Sequence, residues 1–93
     1  MLVHLHFAEA GSLKGKRKEL SSLKAQLQTR LGVAVSEVEH QDLWQRSTLA
    51  VAVTGGSESA VRDQVDRIER FLDDRCPSGY GIDRSVVSFQ EVL

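Results

Sequence analysis

The stretch Ser12-Leu-Lys-Gly-Lys-Arg-Lys-Glu19 gathers Lys14, Lys16, Arg17 and Lys18 within five residues. If it opens a helix, these cations stand at the end the backbone dipole already makes positive. Each is then disfavoured by about 0.3–1 kcal/mol where exposed. Unpaired N–H groups beside basic side chains are also what binds phosphate. With Lys24 further along, the set Lys14, Lys16, Arg17, Lys18 and Lys24 is the candidate anion or nucleic-acid site. The plain counter-reading is a solvated helix face whose lysine stems cover apolar surface. The unfavourable placement of four cations at a helix start leans toward function. Residues 13–31 hold every lysine and carry a net +5, while residues 32–93 carry −5. Such asymmetry suggests a polar interaction surface.

A second candidate is His40-Gln-Asp-Leu-Trp-Gln-Arg46, which holds the single tryptophan. Asp42, Trp44 and Arg46 form either a recognition loop or a plug. In the plug, the indole closes the sheet end and Asp42 and Arg46 tie the loop together. His4, His6 and His40 raise the question of a metal. Zinc needs three or four ligands in fixed geometry, and in the strand order expected below the second strand does not neighbour the first, so His40 need not come near the other two. No metal site and no cofactor are therefore expected. Nor does any nucleophile-elbow or phosphate-loop motif surround the Ser, Cys, His and Asp residues, so no enzyme is expected. Glu37, Glu39 and Asp42 read as solvent-facing charges, and Cys76 beside Pro77 as incidental.

The elements that would position these residues follow from periodicity. Leu2 to Phe7 alternates as a strand. Ser12 is a helix N-cap, and Leu13, Leu20, Leu23, Leu27 and Leu31 make one apolar stripe that Gly32 ends. Val33 to Glu39 is a second strand with broken alternation, which a bulge near Ser36-Glu37 would reconcile. Ser47 to Thr54 is a third. Gly55-Gly56 breaks it and Ser57 caps a second helix with Ala60, Val61, Val65, Ile68, Phe71 and Leu72 on its apolar face. Tyr80 to Val92 reads as a last strand with Val87 and Phe89 inward. The order β-α-β-β-α-β predicts a ferredoxin-like α+β fold over residues 1–93. It has a four-stranded antiparallel sheet, the first and third strands central, and both helices on one face. The other face would show Leu2, His4, His6, Thr48, Ala50 and Ala52. It lacks the exposed rings of an RNA-stacking platform.

Ninety-three residues suit one domain. At 41% hydrophobic and 27% charged, the chain is globular rather than disordered. One cysteine gives no internal disulfide framework. No apolar run approaches the roughly 20 residues of a membrane span, and no signal-peptide pattern opens the chain. A cytoplasmic protein is expected.

Ser-Leu-Lys-x-Lys-Arg at 12–17, together with Glu-x-x-His-Gln-Asp-Leu-Trp-Gln at 37–45 and the apolar strand after it, resembles the YlxP-like family. This is a bacterial family of unknown function. The resemblance spans essentially the whole chain and implies a ferredoxin-like fold. It also implies a ribosome or RNA connection, since such proteins are often encoded near translation-initiation and ribosome-binding-factor genes. Lys14, Lys16 and Arg17 match its basic motif; Asp42 and Trp44 match its loop motif. Where the family usually has Glu, this chain has Gly15. The expectation is a non-enzymatic RNA- or ribosome-associated factor. The alternative is a homodimeric interaction module using the open sheet face.

Overall fold

The computed structural model describes residues 1–7, 11–76 and 79–87. In chain order the elements are β1 Leu2–His6, α1 Leu13–Leu31, β2 Ala34–Glu39, β3 Arg46–Ala52, α2 Glu58–Arg75 and β4 Tyr80–Asp83. The sheet is antiparallel with order β2-β3-β1-β4, so β1 and β3 are central as the sequence predicts. Period-two alternation sends Val3 and Leu5 of β1 and Leu49 and Val51 of β3 into the core. There they meet Leu20, Leu23 and Leu27 of α1 and Ile68 and Leu72 of α2. Both helices thus cover one sheet face, and the ferredoxin-like α+β architecture is as expected.

Cap chemistry explains where the helices start and stop. The Ser12 hydroxyl accepts from the Gly15 N–H at 3.1 Å, and Ser57 accepts from Ala60 in the same way. Gly32 ends α1 at φ 65°, a left-handed conformation that glycine adopts without a Cβ penalty. The first turn of α1 contains no acid. A Gly15→Glu variant restores the reciprocal cap and replaces a helical glycine. A Cβ there would sit 3.5 Å from the Ser12 hydroxyl, an ordinary contact. The expected gain is about 1–2 kcal/mol. It would be read as a higher urea midpoint at unchanged slope; an unchanged or lower midpoint would refute it.

Four sequence expectations need correction. The bulge lies between Glu37 and Glu39, at Val38, not at Ser36-Glu37. Plain alternation from Val35 makes Glu37 inward and Val38 outward; the extra residue then sets Glu39 opposite Thr48 on the open face, where unbroken alternation would turn it inward. β4 ends at Asp83: its register runs from Leu5↔Tyr80 to Leu2↔Asp83, residues 84–87 are not in a strand, and the expected strand's remainder from 88 on lies outside the described residues. Val87 is 62% exposed rather than inward, and Phe89 lies outside the described residues. Ala60, assigned to the apolar stripe of α2, is exposed.

Candidate functional site

Antiparallel pairing brings the candidate residues to one end of the sheet. β1 finishes there at His6, α1 starts there, and β2 leaves through His40 into the loop that returns as Arg46. Two cross-links hold this end. The Phe7 N–H donates to the Gln45 carbonyl at 2.7 Å. The Lys16 ammonium donates to the His40 carbonyl at 2.5 Å.

Lys16 overturns part of the sequence reading. It does not join an outward basic patch but is fully buried, with 0% exposure. Its Nζ lies 3.1 Å from Glu37 Oε2, and that oxygen also accepts from the Ser47 hydroxyl at 2.6 Å. The physical reason is its place on α1. Position 16 falls on the inward stripe between Leu13 and Leu20, so its stem enters the core and its amine must find partners. Glu37, expected in solvent, supplies the carboxylate. Lys16 also steadies His40, which holds a left-handed backbone at φ 65°. The two segments that carry the family resemblance therefore meet through this buried pair.

The Glu37 carboxyl is held below the usual carboxylate pKa range. Burial alone would raise it, but the Ser47 hydroxyl, then the Lys16 hydrogen bond and charge, then the Lys24 charge, together outweigh burial. A carboxylate with a lowered folded pKa stabilises the protein above its unfolded value of about 4.3; that contribution is lost as pH falls through the folded value. Acid unfolding of a Ser47→Ala variant should begin at higher pH than in the parent chain. Coincident acid transitions in circular dichroism would contradict this.

The remaining cations face outward. Lys14, Arg17 and Lys18 are exposed on the first turns of α1, and Lys24 is half-buried. Arg17, Ser21, Lys24 and Gln28 line a groove of about 360 Å³ beside Glu37. None of Lys14, Arg17, Lys18 and Lys24 forms an ion pair with a described residue within 4.0 Å. In the loop, Trp44 is 42% exposed, and Leu43 beside it is exposed too. The tryptophan is not a plug, because the Phe7–Gln45 bond and the Lys16–His40 bond close this end without it. Asp42 and Arg46 are exposed and make no ion pair with each other.

The histidines also depart from expectation. The chain beyond β2 curls back at His40, so His40 lines one concavity with His4, His6 and Arg46 although its strand does not border β1. His4 is engaged, its Nδ1 3.1 Å from the Thr48 hydroxyl and its Nε2 2.9 Å from Asp83 Oδ2. Thr48 is buried under this contact although it belongs to the open face. Among the described residues no group of three His, Cys, Asp or Glu side chains is placed to hold a metal ion. Burial pushes the Cys76 thiol up, which keeps it protonated and unreactive. Tyr80 is pushed up to about 12, first by burial and then by its bond to Asp73. It pins the start of β4 to α2. No described helix is long and apolar enough to cross a membrane.

No solved structure matches the chain. It is 34% identical over 65 residues to the uncharacterized protein YlxP of Bacillus subtilis (strain 168), covering 70% of this chain and 71% of that one. Residues 1–80 match the family model described as a protein of unknown function, DUF503. The meeting of the basic segment with the Glu37–His40 segment lies wholly inside the matched region, and the chain belongs to the DUF503, YlxP-like family.

Proposed function

We propose that this chain is a non-enzymatic accessory factor that associates with RNA or a ribosomal subunit. Phosphates are held by Lys14, Arg17 and Lys18, with Lys24 further along the helix. One observation carries the reading. Glu37 is taken by buried Lys16, so three exposed cations are left around a helix start with no acid in its first turn. Exposed Trp44 and Arg46 leave the same end of the sheet, and an aromatic face beside cations suits single-stranded RNA. The homodimer alternative has less support, because the open sheet face carries His4, His6 and Arg46 among its small residues rather than a continuous apolar patch.

Co-sedimentation with ribosomal subunits, and with a single-stranded RNA, across a salt series tests this. Three phosphate contacts give a slope of log affinity on log salt of about −2 to −3. Affinity should then fall roughly 20–40-fold between about 50 and 200 mM salt. No binding at low salt, or binding indifferent to salt, would overturn the reading.

A further inference from the structure

His6 and Arg46 are direct cross-strand partners on the open face of the sheet, so an imidazole and a guanidinium stand side by side. Facing pairs of like charge are destabilising when both are ionised. Neither group is matched by a carboxylate within 4.0 Å among the described residues. His40 joins them from the end of β2, and the three line a concavity of about 360 Å³. That volume lies in the range of small-ligand sites. Its far wall is Gly79 and Gly81, and Gly81 pairs with His4, where any side chain would lie against the His4 ring. The charged groups around the site are few. Asp83 is held by His4, Glu39 lies 3.7 Å from His40 Nε2, and Lys16 binds the His40 carbonyl from behind.

We propose that this concavity binds a phosphate monoester, with Arg46 as the fixed cation and His6 and His40 as donors from the two flanking sides. A guanidinium gives parallel N–H bonds to phosphate oxygens, and each imidazole N–H adds one. The anion relieves the His6–Arg46 juxtaposition, which no described side chain does. The site is distinct from the outward cations of α1 and stands or falls apart from them.

Adenosine 5′-monophosphate, inorganic phosphate and adenosine are the probes, titrated into the full chain and followed by NMR of the histidine rings and backbone amides. Both phosphates should shift the His6 and His40 rings, and adenosine should not. Arg46→Ala, at an exposed position, should weaken binding at least about tenfold. His6→Ala, which removes one donor, should weaken it at least about threefold. A Lys14→Ala, Arg17→Ala, Lys18→Ala variant should bind the monophosphate as the parent does, even if its RNA binding is gone. A 5′-phosphorylated oligonucleotide that competes with the monophosphate, where its 5′-hydroxyl form does not, assigns the group to an RNA end; failure of both to compete assigns it to a free nucleotide. Ring shifts with adenosine alone, unaltered binding in Arg46→Ala, or shifts centred on α1 would overturn the site.

Discussion

A Lys16→Ala chain should lose about 3–5 kcal/mol of stability, although the substitution removes a lysine from what reads in sequence as a surface patch. The amine is fully buried against Glu37 and the His40 carbonyl. Removing it leaves the Glu37 carboxylate mostly enclosed, with Ser47 alone to answer it. It also opens a space the length of a lysine stem between Leu13 and Leu20. A domain of this size has total stability of order 5–15 kcal/mol, so the melting temperature should fall on the order of 20 °C. The pair itself contributes less than its breakage costs. Replacing both members, Lys16→Met with Glu37→Leu, removes the stranded charge and fills the space, and should recover most of the loss. Urea unfolding of the two single variants and the double one reads the coupling directly. A Lys16→Ala melting temperature within a few degrees of the parent would show the ammonium to be in water.

The second large effect concerns RNA. Substituting Lys14, Arg17 and Lys18 together by alanine should reduce the magnitude of the salt slope by about 2–3 and abolish binding near physiological salt. Stability should change little, because all three side chains are exposed and alanine suits a helix as well as lysine or arginine does. The cations also oppose the α1 dipole, so their loss should if anything steady the helix. An unaltered slope, measured by filter binding with the same RNA, would show that phosphates are held elsewhere.

Much of the architecture was legible because it rests on local signals. Serines at 12 and 57, Gly32 and two leucine-rich or valine-rich stripes mark the helices, and alternation marks β1 and β3. The bulge was half legible: the parity break between Val35 and Val38 demanded an extra residue but did not say which. The length of β4 was not, because it follows from the register that sets Tyr80 opposite Leu5 and Asp83 opposite Leu2, and that register is a tertiary fact.

Within the candidate site, the missed signal was Lys16. The apolar spacing 13, 20, 23, 27 leaves a hole at 16, an inward position between Leu13 and Leu20. Reading charge as exposure hid it, and Glu37, with inward parity on β2, was its complement. His40 was misplaced for another reason. Strand order alone separates it from His4 and His6, and only the left-handed turn at His40 brings it over the sheet end. For Trp44 the sequence allowed both a plug and a recognition loop, and its exposure, a tertiary fact, removes the plug.

These distinctions converge on one comparison. The Lys16→Met, Glu37→Leu double variant and the Lys14→Ala, Arg17→Ala, Lys18→Ala triple variant, both verified as folded by circular dichroism, are measured against the same single-stranded RNA at about 50 mM salt. If the buried ammonium only builds the end of the domain while its exposed neighbours meet the phosphates, the double variant binds as the parent does and the triple variant does not bind. Loss of binding in the double variant with retention in the triple would contradict the account.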